Sequence, residues 1–202
     1  MDEMPLPAQI GARLRKLRGS TGRSLASVAQ EMGISASALS QIETGAMQPS
    51  VNRLVELVGV LGAPVSAIFD DLEVFSPEIT DHGADVTEPI DGVLVSHGAA
   101  ATAHLGQGVS YRRLSPAPLA GVDYFESTYP PGTSSSLDGA MLVHPGYESG
   151  YVMSGELTFE FTEGEVVLGP GGSLSFAATR PHRVANRTRG NAVAIWLTIV
   201  GT

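Results

Sequence analysis

The sequence contains no cysteine. Disulfides and thiolate metal sites are therefore excluded. Lysine is nearly absent, Lys16 being the only one. There is no long apolar run: the longest, residues 192–200, is broken by Thr198 and is too short to span a bilayer. The opening MDEMPLPAQI is acidic and contains proline, so it does not read as a secretory signal. The expectation is a cytoplasmic protein with no membrane partner. Charged residues make up only 16% of the chain, against 43% hydrophobic, which fits a globular protein with a real core. A length of 202 residues allows two small domains or one larger one.

The net charge of −9 is unevenly spread. Residues 1–69 hold six basic and five acidic side chains, so the acidity belongs to the remainder. Four of those six basic residues (Arg13, Arg15, Lys16 and Arg18) fall together, a local patch suited to a phosphate backbone.

Ile10, Leu14 and Leu17 recur at helical spacing and predict an amphipathic first helix. Ser24 can cap a second helix ending near Glu31, and Ser35 a third over 36–44, which Gly45 stops. Pro49 and Ser50 open a fourth helix, and residues 65–69 suggest a short fifth. Within this run the spacing of Ala29, Gly33 and Leu39 is the informative feature. A small residue lets a second helix approach, a glycine turns the chain at positive φ, and an apolar side chain returns into the angle. That is the pattern of a helix-turn-helix.

These residues, with Ser40-Gln41-Ile42-Glu43 and Pro49-Ser50, resemble the lambda-repressor-like, XRE-type helix-turn-helix family. The resemblance implies a dimer that reads a double-stranded DNA operator with its third helix in the major groove. Ile34, Leu39 and Ile42 are expected inside. Ala36, Ser37, Ser40, Gln41 and Thr44 are expected to face out, with Gln41 able to pair with adenine and Ala36 to touch a thymine methyl. Ser35 and Ser50 begin helices whose N–H groups suit phosphates. Glu43 is acidic for a DNA face and is expected to bond within the domain.

Beyond residue 70 the composition changes. Residues 70–91 are acidic and weakly periodic, and read as a linker or lead-in. Strands are predicted at 109–114, 122–129, 151–153, 157–161, 165–168, 173–176 and 192–200, separated by Gly- and Pro-rich turns. His144, Glu148 and Gly155, followed later by His182 and Asn186, resemble the two motifs of the cupin family. The expected fold is thus α + β multidomain, an N-terminal all-α helix-turn-helix bundle followed by an all-β double-stranded β-helix (cupin) barrel. The expected domains are 1–72 (DNA-binding), 73–104 (linker and lead-in strands) and 105–202 (the cupin sensor).

Leu142 stands where the cupin motif has a further histidine. His144, Glu148 and His182 could still hold one divalent metal (Fe, Zn, Ni or Mn) as a facial triad, or serve as a metal-free ligand pocket. The predicted function is a ligand-responsive, homodimeric transcriptional regulator with a small-molecule effector and no catalytic residues. The alternative is a mononuclear non-haem iron enzyme resembling hydroxypropylphosphonate epoxidase. Tyr124, Glu126, Tyr151 and Phe176 are expected chiefly in the core, and Trp196 in the core or a dimer interface. His82, His97 and His104 are expected to be exposed or locally bonded.

Overall fold

The computed structural model describes residues 6–63, 65–68, 85–98 and 102–199. His82 and residues 73–84 of the expected linker lie outside them. Helix α1 (Leu6–Ser20) is followed by α2 (Leu25–Glu31), α3 (Ala36–Glu43) and α4 (Val51–Val60). The expected fifth helix is a 3-10 turn, Val65–Ile68. Three serines set the helix starts. The side chains of Ser24, Ser35 and Ser50 accept from the backbone N–H of Ser27, Ala38 and Arg53 at 3.1, 3.0 and 3.2 Å. Each such cap stabilises its helix by about 1 kcal/mol. Gly33 turns the chain between α2 and α3 at φ 64°. At Gly11 a Cβ would lie 2.5 Å from the Ile42 carbonyl oxygen, so α1 rests directly on the backbone of α3.

The remainder is antiparallel β-structure. A hairpin of β1 (Asp85–Ile90) and β2 (Val93–His97) forms its own two-stranded sheet. The barrel strands are β3 (Thr102–His104), β4 (Ser110–Arg113), β5 (Val122–Tyr129), β6 (Tyr147–Ser154), β7 (Leu157–Phe161), β8 (Gly164–Leu168), β9 (Ser173–Ala177), β10 (His182–Ala185) and β11 (Ala192–Ile199). One sheet has the order β3-β4-β5-β11-β6-β9, and the other β10-β7-β8. All seven predicted strands are present, with β6 longer at its start than predicted. Strand β10 was not foreseen: four residues, two of them His and Arg, give no apolar alternation to read.

The two long central strands decide what faces inward. In β11 burial alternates from Ala192 through Thr198, and in β5 it falls on Asp123, Phe125, Ser127 and Tyr129. Trp196 lies opposite Phe125 in the register, reaches Phe159 of the other sheet at 5.8 Å between ring centroids, and donates its indole N–H to Ser127 Oγ. Trp196 is thus a core residue. Tyr124 and Tyr151 are instead exposed, and Glu126 is half-buried on the outer face, paired with Arg112. The expectation of core packing fails for Tyr124 and Glu126 because the inner face of β5 is the odd-numbered one, and for Tyr151 because in β6 the buried positions around it are Gly150 and Val152. Phe176 does pack inward, against Phe161 and His182.

Gly155 closes the turn between β6 and β7 at φ 72°, and a Cβ there would sit 2.4 Å from the Asn191 carbonyl oxygen. Gly155→Ala combines backbone strain with a clash against backbone that cannot move aside. It is expected to cost about 2 kcal/mol, read as a lowered midpoint of denaturant unfolding.

Candidate functional site

Two regions carry chemistry. The first is the outer face of α3. Ser35, Ala36, Ser37, Gln41 and Thr44 are exposed and Ser40 half-buried, while Leu39 and Ile42 are buried and Ile34 packs against the core. Thr44 spends its hydroxyl on the Ser40 carbonyl at 2.9 Å. Glu43 turns inward: it is 3% exposed and bonds Arg18 twice, through Nε at 2.6 Å and Nη2 at 2.9 Å. Arg15 reaches the same carboxylate at 3.4 Å. The basic patch of α1 is therefore partly internal, since Arg13 also donates to the Ala67 carbonyl. The hydrogen bonds that Arg18 donates to Glu43 are the largest influence on its guanidinium and hold its pKa above the ordinary value, although burial acts against the charge.

Ser50 lies elsewhere. It is 7% exposed, at the junction of the helices with the barrel. The N–H groups of this turn are taken up within the chain: Arg53 N–H by Ser50 Oγ, and Asn52 N–H by the Ser135 carbonyl at 2.8 Å. In this arrangement the start of α4 faces the barrel and offers neither group to phosphate.

The second region is a cavity of about 390 Å3 inside the barrel mouth. His144 stands in the loop before β6, and its backbone N–H donates to the Ala178 carbonyl. Glu148 sits in β6 between Thr198 and Phe176 of the flanking strands. His182 opens β10, and its backbone exchanges two hydrogen bonds with Leu142. These elements bring one donor atom from each of His144, Glu148 and His182 within 4.8 Å of one another. His144 Nε2 lies 2.8 Å from one Glu148 oxygen, and His182 Nε2 lies 3.6 Å from the other.

The far nitrogens settle which atoms these rings present. His144 Nδ1 is 3.0 Å from the Pro145 carbonyl oxygen, and His182 Nδ1 is 2.8 Å from that of Arg180. A carbonyl only accepts, so both Nδ1 atoms carry hydrogen and both neutral rings turn a bare Nε2 lone pair toward Glu148. Two lone pairs aimed at a carboxylate repel it unless a proton or a cation lies between. The residues thus fit a divalent ion held by two imidazoles and one carboxylate, oriented by outer hydrogen bonds. Leu142, 8% exposed and on the cavity wall, leaves the fourth position without a donor.

Electrostatics agree with this arrangement. Burial disfavours a charged His144, but the hydrogen bond and charge of Glu148, the Pro145 carbonyl and Asp123 outweigh it and raise its pKa. Burial lowers that of His182, with the neighbouring His144 acting in the same direction, while Glu148 and the Arg180 carbonyl oppose. Burial also pushes the Tyr111 and Tyr129 hydroxyls upward, so both stay neutral.

Comparison with known proteins joins the two regions. A helix-turn-helix domain model matches residues 9–68, and a cupin domain model matches residues 125–198. The HTH-type transcriptional regulator PuuR of Escherichia coli (strain K12) is 29% identical over 181 residues, 89% of each chain. The chain thus carries an N-terminal helix-turn-helix domain and a C-terminal cupin domain. An HTH_3 family transcriptional regulator from Vibrio cholerae has a similar crystal structure, with a TM-score of 0.68 at 25% identity and 98% coverage of both chains. Hydroxypropylphosphonic acid epoxidase from S. wedmorenis also aligns over 96% of this chain and 98% of its own, at 20% identity and a TM-score of 0.42, a likeness too distant to bear on function.

Within this two-domain chain the sequence reading missed part of the cavity wall. Asp123, Tyr111 and Tyr129 line it from β4 and β5, and Asn52, Val55 and Gly59 line it from α4. Alternation along β5 carried a signal for Asp123 and Tyr129. For α4 the signal was Gly59, a glycine inside a helical pattern. His97 and His104 are exposed and stand apart from the site. No described helix is long and apolar enough to cross a membrane.

Proposed function

We propose that this protein is a dimeric, ligand-responsive transcriptional regulator. The outer face of α3 reads an operator, and the cupin cavity holds one divalent metal at His144, Glu148 and His182 beside a small-molecule effector. The observation that carries this reading is a capped recognition helix with its small polar face exposed, in the same chain as a cavity where three metal-type donors converge. The cavity falls in the size range of small-molecule sites. Its wall combines aromatic side chains with Asp123 and Glu148, and no Lys or Arg is among the lining residues. An anionic substrate such as a phosphonate would therefore find no Lys or Arg there to clamp it, which favours the regulator over the epoxidase-like alternative. The expected boundaries, a DNA-binding domain to about residue 72 and a sensor from about residue 105, suit this division.

The outward face of α3 carries no Lys or Arg, so non-specific affinity is weak and two half-sites must act together. The test is selection of fragmented genomic DNA on the purified protein at two salt concentrations, with and without added divalent metal. Recovery of a discrete, near-palindromic site supports the reading, and recovery of nothing above background removes it. On that site, Gln41→Ala is expected to cost about 1 kcal/mol per half-site and to relax the preference at one base pair. The salt dependence should not change, because a base contact rather than a phosphate contact is lost. Fluorescence anisotropy on the site and its single-base variants measures both.

A further inference from the structure

Helix α4 has two working faces. Leu54, Leu57 and Leu61 follow one another at helical spacing, are almost wholly buried and join the core. Asn52, Val55 and Gly59 form a second stripe, and all three line the barrel cavity together with Glu148, His182 and Trp196. The wall of the cupin cavity is thus completed by a helix of the DNA-binding domain.

The N-terminal end of this helix is tied to the barrel. Asn52 donates its backbone N–H to the Ser135 carbonyl at 2.8 Å and its side-chain amide to the Ala140 carbonyl at 3.0 Å. Just before the helix, the Pro49 carbonyl accepts from Gly106 N–H at 2.9 Å. Arg53 links three parts. Its guanidinium lies 3.7 Å from Asp138 of the barrel loop, 2.7 Å from Glu56 on its own helix, and 3.4 Å from the Met32 carbonyl at the turn between α2 and α3. Toward the other end, Gly59 is a helix-interior glycine that no close approach demands: a Cβ there would meet nothing within 4 Å. Glycine costs helix stability at such a position, and what it leaves here is open space at the solvent-exposed edge of the cavity wall.

We infer that the cavity is a site shared by both domains, with α4 as its movable wall, so that whatever fills it bears directly on the helix-turn-helix. This rests on the regulator reading for its consequence and on the geometry of α4 for its cause. An occupant that presses on the Asn52–Val55–Gly59 stripe shifts α4 against the barrel. Arg53 carries the shift to the turn that sets the angle of α3. No communication through the dimer interface is needed. Couplings of this kind change affinity by roughly 5- to 150-fold.

The absence of cysteine makes a clean test possible. In full-length Gly59→Cys, the single thiol is converted to a methyl or a benzyl disulfide with the corresponding methanethiosulfonate. Gly19→Cys is the control, because Gly19 is exposed on α1 and likewise has open space around it. Three quantities are read before and after labelling: emission of Trp196, the only tryptophan; hydrogen exchange of residues 36–43; and affinity for the selected operator. The benzyl adduct at position 59 is expected to shift the emission, to change exchange in α3 and to alter operator affinity about tenfold or more. The methyl adduct should do less, and the position 19 adducts nothing. A shift in emission with neither exchange nor affinity altered would make α4 a passive wall and overturn the inference. So would unchanged emission, since position 59 would then not face the cavity. If unlabelled wild-type protein binds no operator, the regulator reading fails by itself, and exchange in α3 still decides this one.

Discussion

Glu43→Ala is expected to destabilise the helical domain by about 3–5 kcal/mol, the range for breaking a buried ion pair by removing one partner. The Glu43 side chain is 1% exposed and that of Arg18 only 16%, so solvent screens the pair weakly. The two hydrogen bonds between them fix α3 against α1 at the point where Gly11 already brings the helices into backbone contact. With the carboxylate gone, the Arg18 guanidinium keeps one acceptor, the Arg23 carbonyl at 3.0 Å, and loses its counter-charge. Glu43→Gln preserves shape and removes charge, so it should fall between wild type and Glu43→Ala. The measurement is urea unfolding followed by far-ultraviolet dichroism at the helix minimum, with a double-mutant cycle against Arg18→Ala. A loss below about 1 kcal/mol would mean that the pair behaves as a surface bridge and that the domain is set by apolar packing alone. Operator affinity should fall with stability in Glu43→Ala even though Glu43 does not face outward, because α3 loses the contact that fixes its angle.

The helical domain was legible because its signals are local. Ser24, Ser35 and Ser50 cap, Gly33 and Gly45 turn at positive φ, and the apolar spacing repeats. The acidic Glu43 on a helix meant for DNA was also correctly read as internal, since a carboxylate there needs a cationic partner. The barrel strands were legible from alternation and turns, β5 and β7 to the residue. What could not be read is what depends on contacts distant in sequence. Which face of β5 turns inward is decided by the register with β11, so Tyr124 was weighed where Asp123 belongs. The cavity face of α4 was hidden because Val55 satisfies the apolar pattern of a core helix equally well. Ser50 was assigned to phosphate because a cap is a local feature, whereas its burial comes from a loop some 85 positions away. At the metal-type site the three donors came from motif resemblance. The two carbonyls that fix their tautomers belong to Pro145 and Arg180, and no side-chain pattern marks a backbone acceptor.

Those tautomers lead to the second large effect, on metal binding. Each imidazole faces Glu148 with a bare Nε2, so the site has to hold either a proton or a cation. Without metal, the proton goes to His144. Its pKa is raised above 6.5, so its stabilising contribution is complete below that value and is lost as pH rises through the folded one. His182 has the opposite sign. Its pKa is lowered below 6.5, so the stability of its neutral form is present above 6.5 and is lost as pH falls through the folded value. A divalent ion replaces the His144 proton rather than adding to it. Affinity should therefore fall as pH drops below the raised His144 value, with the proton release per ion bound growing toward one as pH falls through that value. Calorimetric titration with Zn(II), Ni(II) or Mn(II), in paired buffers of different ionisation heat between about pH 6 and pH 8, reads both quantities across the window where histidine titrates. Glu148→Gln removes the carboxylate that bridges both rings. It is expected to weaken binding by roughly 1000-fold, beyond the 10- to 100-fold typical of losing an outer partner. It should also release His144 from the charge that raises its pKa, so the proton count per ion falls near neutral pH. Binding of equal strength in Glu148→Gln, or proton release in wild type that does not grow as pH falls, would place the ion elsewhere. The triad would then be a hydrogen-bonded wall of the effector cavity, its proton shared between His144 and Glu148.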